Sequence, residues 1–124
     1  MPLTGIDNKT LKTLRQQKVP LIDIRREDEW RWTGIIDGSL LLTAFDAEGA
    51  LIPEFCTALA AIVHTGEPYI LICRSGHRTG ILGNMLLHHD GGHNVFHLQE
   101  GLLGWLRAGE PVVPVPCHCP LTRP

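Results

Sequence analysis

The chain has 124 residues, 44% of them hydrophobic and 19% charged, which supplies one real core and leaves no length for a second. That balance excludes disordered, collagen-like and coiled-coil chains. The net charge is -2, from 11 basic and 13 acidic residues, with no basic run longer than Arg25-Arg26, which argues against nucleic acid or an anionic membrane as partner. Strand and helix signals then alternate. Asp7 or Asn8 suits the N-cap of a first helix reaching Gln17, with Leu11 and Leu14 on its inner stripe. Val19-Pro20 ends it before an apolar strand over residues 21–24. Residues 25–32 form a short charged helix that Thr33-Gly34 breaks, and residues 39–42 offer a second strand. Pro53 fits the first turn of a longer helix, with Phe55, Leu59, Ile62 and Val63 at helical spacing up to His64 and Gly66 closing it. Residues 69–72 are a continuous apolar run, as in a central strand covered on both faces. A helix over residues 79–89 carries Ile81, Leu82, Met85 and Leu86 on one face, and Asp90-Gly91-Gly92 is a turn. Residues 95–98 form another strand, and residues 101–108 a last helix bearing Leu102, Trp105 and Leu106. From Pro111 on, five of fourteen residues are proline, so an extended tail without regular structure is expected.

Strands separated by helices of this length specify an α/β fold: a mostly parallel sheet of four to five strands with helices on both faces. Ligands of such sheets bind outside the carboxyl ends of the strands, which directs attention to the residues after Ile24, Leu42, Ile72 and Leu98. The N-terminal stretch is polar, and no segment approaches the roughly 20 apolar residues of a membrane span. A soluble, cytoplasmic protein with no membrane partner is expected. The four cysteines do not resemble a disulfide framework: Cys56 lies in a helical pattern, Cys73 ends a strand, and Cys117 and Cys119 sit in the proline-rich tail. Reduced thiols follow.

Cys73-Arg74-Ser75-Gly76-His77-Arg78-Thr79-Gly80 joins the central strand to a helix and has no apolar side chain before Ile81. A loop of this composition can turn its N–H groups inward, with Gly76 at positive φ, and form an anion-binding nest at the positive end of the next helix. A thiolate at its centre is stabilised by that field and by Arg74, Arg78 and His77, and the thiolate is the nucleophilic form. A cysteine alone is more often a small buried hydrophobe. Here the polar, glycine-containing loop after it favours the nucleophile.

The loop resembles the active-site loop of the rhodanese domain. Two more stretches agree with that family. Leu21-Ile22-Asp23-Ile24-Arg25, with Glu29-Trp30 and Gly34-Ile35-Ile36-Asp37-Gly38-Ser39, is similar to its first conserved strand and the segment after it. Leu98-Gln99-Glu100-Gly101-Leu102-Leu103-Gly104-Trp105, with Gly109-Glu110-Pro111-Val112, is similar to its C-terminal glycine-tryptophan motif. Ile35 stands where the family usually has histidine and Glu100 where the first of two glycines is common, departures that bear on packing or loop shape. The resemblance implies a rhodanese-like three-layer sandwich over residues 1–113, followed by a Pro/Cys-rich tail over residues 114–124. It further implies that Cys73 takes a sulfane sulfur from a small-molecule donor such as thiosulfate and holds it as a persulfide for a thiol or cyanide acceptor. Arg74, Ser75, Gly76, His77 and Arg78 would bind the donor, and no cofactor is implied. The alternative is a carrier that delivers the persulfide to a sulfur-relay protein.

Other readings are weaker. Cysteine phosphatases and arsenate reductases place five residues between nucleophile and arginine, whereas four separate Cys73 from Arg78, and by the same resemblance the smaller loop favours a sulfur atom. Asp23 and Arg25 flank a strand end as an acid/base pair or, preferably, as a supporting ion pair that fixes adjacent loops. His88-His89, His93 and Cys117-His118-Cys119 lack the paired ligand spacing of a zinc site, so no metal is expected. Trp30, Trp32 and Trp105 read as core or rim aromatics. In the tail, Cys117 or Cys119 could receive sulfur from Cys73 or form a disulfide with it, although a frayed end is the simpler reading.

Overall fold

A computed structural model describes residues 3–64, 66–90 and 94–116, with residues 88–90 described by backbone alone. Its elements are β1 (Thr4–Ile6), α1 (Asn8–Gln16), β2 (Leu21–Asp23), α2 (Glu27–Thr33), β3 (Leu40–Leu41), α3 (Phe55–Ile62), β4 (Tyr69–Ile72), α4 (His77–Asp90), β5 (Val95–Leu98) and α5 (Gly101–Arg107). The strands form one sheet in the order β1-β5-β4-β2-β3, and every ladder is parallel. This is the α/β sandwich that the residue pattern implies.

Alternation along β2 and β4 divides the core. Leu21, Ile70 and Ile72 face α1 and α5, where they meet Leu11, Leu102 and Trp105. Ile22, Ile24 and Leu71 point the other way, into a cluster with Phe55 and Leu59 of α3 and Leu82 and Leu86 of α4. Every residue of β2 and β4 is buried, which is why their sequences carry no polar alternation. The connection from β2 runs outward to β3 and that from β4 runs the opposite way to β5. A crevice therefore opens where β2 and β4 end side by side, with Asp23 in register with Ile72.

Several boundaries differ from the sequence pattern. β1 has no strand signal of its own: only Ile6 of its three residues is buried, and pairing with β5 holds it in the sheet. Asp7 is the N-cap of α1, its carboxylate accepting from the Thr10 amide at 2.8 Å. That helix ends at Gln16 because Lys18 turns left-handed at φ 65°. Pro53 lies in a turn ahead of α3, which stops at Ile62, and β3 is confined to two residues. α4 starts at His77, two residues earlier than expected. Its burial also corrects the expected apolar face: Leu82 and Leu86 are buried, whereas Ile81 and Met85 are 47% and 43% exposed.

Residues 112–116 are extended but anchored. Ile35 and Val113 exchange two backbone hydrogen bonds of 2.8 Å, Trp105 Nε1 donates to the Pro111 carbonyl, and Val113 and Val115 pack against Trp30, Ile35 and Leu41. Cys117 and Cys119 lie outside the described residues, as do Gly91, Gly92, His93 and His118. Among the described residues no helix is long and apolar enough to cross a membrane.

Candidate active site

Cys73 leaves the end of β4 fully buried, with a free thiol. Gly76 takes φ +94°, and this turn aims its amide at Cys73 Sγ, 3.1 Å away. Thr79 Oγ1 lies 3.5 Å from the same sulfur. The Gly76 carbonyl accepts from the Gly80 amide at 3.0 Å as α4 begins, so the positive end of a fourteen-residue helix meets the sulfur. From behind, the Leu102 and Leu103 amides of α5 donate to the carbonyls of Cys73 and Arg74 at 2.9 and 3.0 Å. Two glycines permit this contact. A Cβ on Gly76 would overlap the Gln99 carbonyl oxygen, and one on Gly101, at φ +64°, would overlap that of Arg74.

This close approach yields a stability prediction. A non-glycine residue at positive φ costs about 1–3 kcal/mol, and Gly76→Ala adds backbone overlap to that strain. Gly49 has φ +85° and open space where a Cβ would project, with no atom within 4 Å, so Gly49→Ala carries the strain alone. Denaturant titration is expected to find the larger loss for Gly76→Ala. Equal losses would show that the Gln99 contact exerts no constraint.

Above the loop lies a cleft of about 440 Å³ whose lining includes Arg26, Glu29, Phe45, Arg74, His77 and Arg78. The Arg78 guanidinium is bound by both oxygens of Glu29, at 2.9 and 2.7 Å, and Glu29 Oε1 also accepts from the Arg26 amide at 3.1 Å. Burial pushes the Glu29 carboxyl up, but the hydrogen bonds from Arg78 and Arg26 outweigh it and hold the group below the usual carboxylate range. Hydrogen bonding to Glu29 raises Arg78 above the ordinary arginine value against the opposing effect of burial. Since the folded value of Glu29 lies below its unfolded one, the associated stability is complete above pH 4.5 and declines as acid protonates the folded carboxylate. Arg74 projects over the exposed ring of Trp32, 5.6 Å from its centroid.

The structure thus brings Cys73, Gly76 and Arg78 together with His77 and Arg74 at the mouth, while Ser75 is exposed on the loop. Asp23 and Arg25 form a buried pair at the end of the neighbouring strand. Arg25 Nε and Nη2 donate to the two Asp23 oxygens at 3.0 and 2.9 Å, and the same guanidinium reaches Thr33 Oγ1 and the Gly34 carbonyl. Thr43 Oγ1 donates to the Arg25 carbonyl at 2.8 Å, completing a clamp between β2, the end of α2 and the loop after β3. Sequence reasoning passes over Thr79 and His97: Thr79 Oγ1 is 2.8 Å from His97 Nδ1. It also assigns Glu29 no place at the site. The signals in the sequence are positional alone, Thr79 directly after Arg78 and His97 on the strand preceding Gln99. Among the described residues no three His, Cys, Asp or Glu side chains stand close enough to hold a metal ion.

The sequence pattern of the Rhodanese-like domain matches residues 7–108. The chain belongs to this family. It is also 35% identical over 109 residues to an uncharacterised protein of Synechocystis sp., a match covering 85% of this chain and 53% of that protein. The chain therefore spans about half the length of the curated relative it matches. Among solved structures, the thiosulfate sulfurtransferase of Pseudomonas aeruginosa superposes with a TM-score of 0.71 at 20% identity, covering 92% of this chain and 20% of that one. The polysulfide-sulfur transferase homodimer of Wolinella succinogenes gives 0.68 at 21% identity, over 94% and 82% of the two chains. At these identities the superpositions establish the rhodanese-like fold. Within it, Ile35 is buried in its bridge to Val113, and Glu100 is the exposed N-cap of α5 beside Gly101.

Proposed function

We propose that this rhodanese-like domain is a sulfurtransferase that carries a sulfane sulfur on Cys73. The Cys73 thiolate attacks the outer sulfur of a donor such as thiosulfate. The S–S bond of the donor breaks, its electron pair leaves with sulfite, and Cys73 becomes a persulfide. A thiolate or cyanide then attacks the terminal sulfur and frees the Cys73 thiolate. The observation that carries this reading is the position of Cys73 Sγ, which accepts the Gly76 amide at 3.1 Å at the start of α4, in the loop whose Arg74 and Arg78 line a cleft. That field favours anionic sulfur before and after transfer. In this reading Arg74, Ser75, Gly76, His77 and Arg78 bind the donor, and the Asp23–Arg25 pair supports the loops around them. Residues 1–113 are the catalytic unit and residues 114–124 its appendage. Intact mass after exposure to thiosulfate is expected to rise by one sulfur atom, mapped to Cys73, with thiocyanate released when cyanide follows. No sulfur uptake from thiosulfate, polysulfide or an organic persulfide overturns the proposal.

The Glu29–Arg78 pair has a consequence for donor choice. A doubly anionic donor must share Arg78 with a carboxylate that already occupies both arms of its guanidinium fork. Glu29→Gln keeps hydrogen-bonding capacity but removes the competing charge. It is expected to raise kcat/KM for thiosulfate by about threefold to tenfold, the scale of one partly screened charge. Thiocyanate release at limiting thiosulfate measures this, and a fall would mean that Glu29 instead holds Arg78 in the donor-binding position.

A protein acceptor is the second reading, and the exposed apolar side chains near the cleft favour it. Ile81 lines the cleft, Met85 lies one turn along α4, and Trp32 carries Arg74 at the mouth. Such a rim suits docking of a partner that presents a cysteine.

A further inference from the structure

His97 lies on β5, within hydrogen-bond reach of Thr79. Thr79 Oγ1 has three neighbours: His97 Nδ1 at 2.8 Å, the Gly76 carbonyl at 3.2 Å and Cys73 Sγ at 3.5 Å. The hydroxyl has one proton to give. If His97 Nδ1 is a bare lone pair, the shortest of these contacts consumes that proton, and the hydroxyl presents only lone pairs to the sulfur. If Nδ1 carries the proton, it donates to Thr79, whose own proton is then free to turn between the Gly76 carbonyl and the sulfur. An anionic sulfur is the stronger acceptor of the two.

We propose that His97 is a positioning residue for sulfur transfer: with its proton on Nδ1, it holds the Thr79 hydroxyl as a donor to the anionic sulfur of Cys73. The thiol proton of Cys73 passes to solvent, and neither Thr79 nor His97 gives up its own in this role. Thr79 swings its hydrogen from the Gly76 carbonyl to the sulfur as the thiolate or persulfide anion forms, and His97 keeps its own. Together with the Gly76 amide, the sulfur then receives two hydrogen bonds from fixed directions. The imidazole is neutral in this arrangement, and burial holds it below the usual histidine value. His97 is in register with Leu71 of β4 and Gly5 of β1, and α4 presents Thr79 and Gly80 to the ring. The titratable group it reaches through Thr79 is Cys73.

The functional consequence rests on the reading of Cys73 as a sulfur carrier, but the hydrogen-bond chain can be tested separately. Nitrogen-15 NMR of histidine-labelled full-length protein reports which ring nitrogen of His97 is protonated, and Nδ1 is expected. Ultraviolet titration of thiolate, with Cys73→Ser subtracting the other cysteines, reports the anionic fraction of Cys73. Thr79→Val is expected to lower that fraction at neutral pH by about tenfold, the scale of one hydrogen bond to a charged group, and His97→Leu to lower it by less, because the hydroxyl keeps its proton but loses the donor that orients it. The double variant should be no worse than Thr79→Val alone, because His97 acts on the sulfur only through the Thr79 hydroxyl. His97→Asn, which can return an N–H to Thr79, should recover most of the loss. A proton on Nε2 with Nδ1 bare, a His97→Leu titration matching the parent protein, or additive effects of the two single variants each overturn the proposal. Should His97→Leu fail to fold, the tautomer in the parent protein decides by itself. Failure of the parent protein to acquire sulfur would overturn the sulfurtransferase reading and leave these titrations unaffected.

Discussion

Cys73→Ser is expected to take up no sulfur from thiosulfate and to release no thiocyanate, while unfolding close to the parent protein. The serine hydroxyl is smaller than the thiol but can still accept the Gly76 amide and pair with Thr79, so the buried position acquires no orphaned polar group. What it lacks is the chemistry. An alcohol does not ionise at neutral pH, even beside a helix N-terminus, and it forms no bond to sulfane sulfur that an acceptor could reopen. Loss should reach the detection limit of the mass measurement. Cys56, partly buried on α3, is the built-in control: sulfur uptake that persists in Cys73→Ser and maps to Cys56 would move the carrier site there and contradict the cradle as its cause.

The second large effect is on stability. Asp23 and Arg25 side chains are each 1% exposed, and the pair is held by hydrogen bonds of 2.9–3.2 Å from a single guanidinium to both carboxylate oxygens. Removing one partner of a buried pair leaves the other charge without compensation, at a cost of about 3–5 kcal/mol. Domains of this size have only about 5–15 kcal/mol in total. Asp23→Ala is therefore expected to bring the fold close to its limit and to shift the urea midpoint strongly downward. Arg25 would retain Thr33 and the Gly34 carbonyl, but neither carries a negative charge. Replacing both members, as in Asp23→Leu with Arg25→Met, should recover much of the stability, because no lone charge stays buried. The double variant should still transfer sulfur less well, since the clamp also ties β2 to the turns after α2 and β3. A loss below about 1 kcal/mol in Asp23→Ala would place this pair among exposed ones and refute its role as a clamp.

Local chemistry made the centre of the site legible. The loop after residues 69–72 combines a cysteine, two arginines and a glycine where one positive-φ residue is needed, and Gly76 occupies that conformation. Here the residue type and the backbone state are tied directly by sterics. The groups that tune the loop were hidden for an equally physical reason. Glu29 reaches Arg78 across 49 positions and His97 reaches Thr79 across 18, and no local periodicity or motif spacing encodes which of several charged or polar side chains will meet.

The same division runs through the fold. A continuous apolar run as short as Tyr69–Ile72, set behind Pro68, suits a strand covered on both sides, and helical spacing between such runs implies parallel crossovers. The sequence by itself thus determined the α/β class, the central strand, the nucleophile candidate and the glycine beside it. Only the tertiary structure decided that Thr4–Ile6 joins the sheet, since an edge strand with one buried residue depends on hydrogen bonds from β5. It also decided that Leu82 and Leu86 enter the core while Ile81 and Met85 face outward. Four apolar residues over six positions define a broad stripe, and the sheet covers only part of it, so the buried half is chosen by the angle at which α4 docks.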